Sequence, residues 1–111
     1  MAKDHKQGKR GLNIIIVGCG KVGASLTEQL YKEGDDSTLV DRSSDRLQAL
    51  TDMYDVMGIV GNGASYKIQR EAGIDNADLM IAVTDSDELN LLCCTVAKRV
   101  GDCAAIARVR T

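Results

Sequence analysis

The stretch LNIIIVGCGKVG, residues 12–23, constrains this chain more than any other. Its β-branched run stops at a glycine, the pattern of a strand buried on both faces. Gly18, Gly20 and Gly23 then stand at G-x-G-x-x-G spacing, and a helical pattern opens at Lys21. A strand that turns on glycine straight into a helix is the first half of a β-α-β unit, which commits the chain to a parallel sheet. Each glycine has its own expected task. Gly18 permits the sharp turn, Gly20 lets backbone approach a phosphate, and Gly23 lets the helix pack tightly on the strand.

The alternation continues to the end of the sequence. Val22, Leu26 and Leu30 share a helical stripe over 21–33, with Gly34 as the stop signal. A second strand is expected at 37–41, and Ser43 or Ser44 caps a helix whose Leu47, Leu50 and Tyr54 share a face. A third strand at 56–60 is weakened by Gly58; a short helix at 65–72 ends at Gly73, and a fourth strand covers 79–83. Asp85 and Glu88 have the spacing of a capping box. They open a helix to about Val100 with Leu89, Leu92, Cys93, Val96 and Val100 on one face, and a fifth strand follows at 104–109. The expected fold is α/β: a Rossmann-like, doubly wound parallel sheet of strand order 3-2-1-4-5, its ligand cleft between strands 1 and 4.

The 111 residues predict one domain, over 12–111, after a basic tail at 1–11 that reads as disordered. The net charge of −2 gives no general attraction to nucleic acid or to an anionic membrane surface. No run approaches the roughly 20 apolar residues of a membrane span, nor is there a signal-peptide core, so a cytoplasmic protein is expected. Cys19, Cys93, Cys94 and Cys103 lack metal-site spacing, and His5 in the tail is the sole histidine. Reduced, mostly buried thiols are expected. No metal site and no catalytic set are expected either, because a dehydrogenase needs groups that position substrate and move a proton.

The candidate site is a nucleotide groove. An acid about 20 residues beyond the glycine turn, Asp41, is placed to accept both ribose hydroxyls and to repel a 2′-phosphate, which favours NAD over NADP. Arg42 beside it either stacks on adenine or is simply exposed. Lys21 is the cation nearest the phosphates, or faces solvent. Asn62 in VGNGAS lies near the adenine, or serves a glycine turn. Thr84 and Asp85 stand across the cleft, where Asp85 equally caps a helix. Arg108 reaches the far phosphate or sugar, or forms a surface ion pair. Cys19 lies inside the glycine loop with no activating base beside it in sequence.

These residues carry a resemblance. The landmarks GCGKVG, LVD, VGNGAS, REAGIDNADLMIAVTDSDELN and IARVR make the chain similar, over roughly 12–110, to the N-terminal nucleotide-binding domain of the TrkA family, also called the KTN or RCK domain. The resemblance implies a cytoplasmic subunit, peripheral to the membrane, that binds NAD(H), or ATP and ADP, and gates a potassium transporter. It implies nucleotide contacts at Gly18, Cys19, Gly20, Lys21, Val22, Asp41, Asn62, Thr84, Asp85 and Arg108. Many relatives carry aspartate at the position of Asn62, and the family continues beyond RVRT with another strand and helix, so a domain truncated at its C-terminal end is expected. Pairing into at least a homodimer is implied too; Leu91 and Cys94 offer a second apolar strip for it. Two other readings stand beside this one: the cofactor-binding portion of an NAD-dependent oxidoreductase, and an assembly module with a vestigial pocket.

Overall fold

Strand β1 (Asn13–Val17) lies at the centre of a five-stranded sheet in the computed structural model, which describes residues 11–110; the expected basic tail falls largely outside them. Its side chains alternate between two cores. Ile14 and Ile16 enter one, Ile15 and Val17 the other, and all four are buried. Each such burial stabilises by about 1.5–3 kcal/mol relative to exposure. This is why the run shows no polar alternation: both faces are covered.

The chain then winds outward twice. Helix α1 (Lys21–Lys32), β2 (Asp36–Asp41), helix α2 (Ser44–Met53) and β3 (Met57–Val60) build one half. Helix α3 (Tyr66–Glu71), a 3₁₀ turn at Ile74–Asn76, β4 (Leu79–Ala82), helix α4 (Asp87–Val100) and β5 (Ala104–Ala107) build the other. The strand order is β3-β2-β1-β4-β5 and every pairing is parallel, as the sequence pattern predicts. Leu26 and Leu30 of α1 and Leu47 and Leu50 of α2 cover the Ile14/Ile16 face. Ile68 of α3 and Leu89, Cys93 and Ala97 of α4 cover the other. The direction of winding reverses between β1 and β4, so a crevice opens at the C-terminal ends of these two strands.

Several local expectations are corrected. Val22 is not a core residue of α1: it is 37% exposed, and Gly23 and Thr27 are buried in its place. The Asp85–Glu88 capping box does not form. Ser86 is the N-cap of α4, its hydroxyl accepting from Leu89 N–H at 3.1 Å, with Asp87 and Glu88 in the first turn. Leu92 is half-exposed rather than in the core. Ser43, not Ser44, caps α2. Strand β5 ends at Ala107, which leaves Arg108 in the segment beyond it.

Candidate functional site

The three motif glycines meet different constraints. Gly18 has φ +106° and donates its N–H to Val40 O at 2.8 Å; a Cβ there would lie 2.9 Å from Val83 C and Thr84 N. The turn needs a residue without a side chain. At Gly23 a Cβ would collide with the Gly18 carbonyl, because α1 crosses directly over that turn. Thr27 secures the crossing by donating its hydroxyl to Gly23 O at 2.8 Å. Gly20 differs from both. Its φ of −77° and ψ of −157° suit any residue, and the nearest protein atom to a Cβ would be Arg46 Nη1 at 3.8 Å. Neither backbone nor packing of this chain requires glycine at position 20.

Gly20 is also the N-cap of α1 and supplies no side chain to its first turn, whereas Ser43, Ser65 and Ser86 cap α2, α3 and α4. The amides at the start of α1 therefore border the crevice without a capping side chain, an arrangement that suits an anion, with the helix dipole behind them.

Asp41, at the end of β2, straps the turn in place. One carboxylate oxygen accepts from Cys19 N–H and the other from Ser43 N–H, both at 2.8 Å. Each oxygen keeps a further lone pair, so the carboxylate still has the capacity to take ribose hydroxyls. Cys19 itself points away from the crevice into the Ile14/Ile16 core and is 5% exposed. Burial, with the Asp41 charge second, pushes its thiol up to about 12, and burial pushes Cys93 up to about 11. Burial thus favours the protonated thiol at both positions at neutral pH. A thiol raised in the folded state stabilises fully below the unfolded value of about 9 and loses that contribution as pH climbs through the folded value. The urea midpoint is therefore expected to fall between pH 9 and 11, and Cys19→Ala to flatten the fall; a midpoint independent of pH over that range would contradict the burial assignment.

The groove has two adjoining recesses of about 210 and 200 Å³, which share Gly18, Asp41, Arg46 and Thr84. The first lies over β2 and β3 and is completed by Arg42, Ser43, Gly61, Gly63 and Leu89. The second lies over the start of α1 and is completed by Gly20, Lys21, Val22, Val83, Asp85 and Arg108. Lys21, Arg46 and Arg108 thus face Asp41 and Asp85 across the second recess, an excess of positive charge suited to phosphate. Asn62 is placed otherwise. Its side chain accepts from Ala64 N–H at 2.9 Å in a local turn, and the wall beside it is formed by Gly61 and Gly63. Gln69, fully buried, holds that wall by donating to Gly63 O at 2.8 Å and to Cys93 O at 3.0 Å.

Two residues central to the groove are not singled out by sequence. Arg46 lines both recesses from the first turn of α2. Asn90, buried in α4, accepts from Thr84 N–H (2.8 Å) and Thr84 hydroxyl (2.7 Å) and donates to Thr84 O (3.1 Å) and Arg108 O (2.9 Å). It ties the β4–α4 loop to the end of β5 and so fixes one lip of the groove. The Asn90→Ala variant leaves these partly buried backbone groups without their partner. It is expected to lose about 2–3 kcal/mol of stability, read as a lowered urea midpoint; an unchanged midpoint would show that the lip stands without it.

Comparison with known proteins supplies the family and the fold. Residues 14–111 match the TrkA-N domain family. The "Trk system potassium uptake protein TrkA" of Haemophilus influenzae is 43% identical over 100 residues, which cover 89% of this chain and 22% of that protein. The chain thus spans about a fifth of the length of that relative. Among solved structures, the NAD(P)-binding domain of an exopolyphosphatase-related protein from Archaeoglobus fulgidus superposes with a TM-score of 0.80 at 22% identity, covering 90% of this chain and 74% of that one. The Kef C-terminal domain of Shewanella denitrificans in its AMP-bound form superposes with a TM-score of 0.71 at 20% identity, covering 84% and 57%. At these identities the two superpositions establish the shared Rossmann-like fold. The family match along nearly the whole folded span, together with the 43% identity to a TrkA protein, establishes that this chain belongs to the TrkA-N domain family.

Proposed function

We propose that this chain is the nucleotide-sensing domain of a potassium-uptake regulator, taking NAD(H) in the groove, with ATP or ADP as the alternative adenine nucleotides. The observation that carries this reading is Gly20, a glycine at the mouth of the crevice that the packing of this chain does not require. The donors fit such a ligand. Adenosine would occupy the recess over β2 and β3, with its ribose on Asp41. The phosphates would lie over Gly20 against the first amides of α1, among Lys21, Arg46, Thr84 and Arg108, with Asp85 at the margin. Arg42 would border the adenosine side, while Cys19 and Val22 would contribute backbone and apolar surface. Asp41 disfavours a 2′-phosphate, so NAD is preferred to NADP.

The regulatory part of the reading rests on the relatives' role in potassium uptake and on a groove lined by binding groups. Among the described residues no helix is long and apolar enough to cross a membrane. The proposal places the domain at the inner membrane face, acting on the transporter through protein contact. Self-association, at least to a dimer, is part of the proposal. Leu91 and Leu92 are half-exposed, and β5 presents an open sheet edge. Regulation then needs only that nucleotide bind one arrangement of the paired domains better than another, a coupling of about 1–3 kcal/mol.

The test has two arms. Calorimetry with NAD, NADH, NADP, ATP and ADP is expected to show adenine-nucleotide binding, with NADP weaker than NAD. Potassium uptake is then measured in cells whose gene for this protein carries Gly20→Val. Normal uptake and a normal nucleotide response, with expression confirmed, would overturn the regulatory reading; turnover of a substrate with NAD by the purified protein would favour an oxidoreductase.

A further inference from the structure

We propose that Arg46 is the phosphate-reading residue of this groove, setting its preference for nucleotides that carry more than one phosphate. The inference rests on the adenine-nucleotide reading above and adds to it the residue that discriminates among such ligands. Three separate observations converge on this side chain.

The first is position. Arg46 is the single cationic side chain common to both recesses; Arg42 borders only the adenosine side, and Lys21 and Arg108 only the phosphate side. It therefore stands at the junction between them. The second is its approach to Gly20. Arg46 Nη1 is the nearest protein atom to the place a Gly20 side chain would fill, at 3.8 Å. That place lies against the amides of α1, so an anion there has backbone donors on one side and a guanidinium on the other. The third is local electrostatics. Arg46 occupies the first turn of α2, where the helix dipole disfavours a cation. Among the described residues no ion pair within 4.0 Å offsets it. Asp41, the carboxylate at the same junction, forms no ion pair with it within that distance; its oxygens accept from Cys19 and Ser43 N–H groups. A cation held at an unfavourable helix position, without a carboxylate partner and over a backbone cradle, is explained by an anionic ligand.

The chemistry follows from the guanidinium. Its planar fork donates to two oxygens at once and matches adjacent phosphate oxygens better than a single ammonium. A nucleoside places no charge there, a monophosphate places one group, and a diphosphate places two beneath the fork. The contribution of Arg46 should therefore grow with phosphate number, whereas a residue that merely props the groove open would affect every ligand alike.

The experiment measures adenosine, AMP, ADP and NAD affinities for the wild-type chain, Arg46→Gln, Arg46→Lys and the distant exposed charge control Arg99→Gln. Arg46→Gln is expected to weaken ADP and NAD by about 10–100-fold, AMP by less, and adenosine by less than about 2-fold. Arg46→Lys should recover part of the loss and Arg99→Gln should show none. Raised salt should weaken ADP binding more in the wild type than in Arg46→Gln. An equal loss for all four ligands, or no loss for ADP, overturns the role of Arg46 while leaving the site intact. Failure of the wild-type chain to bind any of the four overturns the nucleotide reading itself.

Discussion

Gly20→Val is expected to fold normally and to bind no nucleotide measurably. The backbone at position 20 is extended with a negative φ of −77°, which does not call for glycine, and the nearest atom a Cβ would meet is the end of the Arg46 side chain, 3.8 Å away. The variant's thermal midpoint should therefore stay within about 3 °C of wild type. The valine branches would occupy the surface on which phosphate must lie to reach the α1 amides. A loss of at least about 100-fold in affinity, roughly 2.7 kcal/mol, is expected. Paired calorimetry and thermal denaturation check both halves. Wild-type affinity from a folded Gly20→Val protein would remove the glycine turn from the site altogether.

Gly23→Ala should fail in the opposite way. The smallest side chain possible there would overlap the Gly18 carbonyl oxygen and lie 2.8 Å from its carbon. Both contacts are backbone, so no rotamer relieves them. Either α1 lifts from β1 or the Gly18 turn, held by Val40 and pressed against Thr84, is displaced. A destabilisation above about 3 kcal/mol is expected, large for a single methyl group. Urea denaturation measures it, and a near-wild-type midpoint would show that the helix-to-turn contact has slack. Two glycines of one motif, three residues apart, would thus separate ligand binding from folding.

What could be read before folding differs from residue to residue for physical reasons. The sheet was legible because a strand buried on both faces must be apolar without alternation, as Ile14, Ile15, Ile16 and Val17 are. Gly18, Asp41, Thr84 and Arg108 were legible because the βαβ unit fixes what lies at strand ends. Arg46 was not. One turn into a polar helix, an arginine over a groove and an arginine over solvent have the same spacing. Asn90 left a faint signal. It shares the face of Cys93 and Ala97 at i+3 and i+7, so an unpaired polar side chain there would be costly. Leu92 misled because it is apolar yet turned about 100° from Cys93. The Asp85–Glu88 spacing imitated a capping box because either Asp85 or Ser86 has cap chemistry; Ser86 won, and Asp87 instead accepts from Arg110 N–H. Asn62 reads in sequence either as lying near the adenine or as serving a glycine turn; its side chain accepts from Ala64 N–H within that turn, and Gly61 and Gly63 line the recess beside it.

The strap from Asp41 to Cys19 and Ser43 has a consequence for signalling. A glycine loop that were loose when free would report its ligand by becoming ordered, and affinity would be lowered by that ordering. Here the loop is tied to β2 by two hydrogen bonds of 2.8 Å before any ligand is considered. On the proposed reading, arrival of a nucleotide would change little in the main chain of the turn. What would change is the electric field at the rim, where exposed Lys21 and Arg46 would have their charge offset by phosphate. A neighbouring molecule at that rim would meet a cationic surface in one case and a nearly neutral one in the other. A regulator of the proposed kind would speak through charge rather than shape, and its message should fade as ionic strength rises.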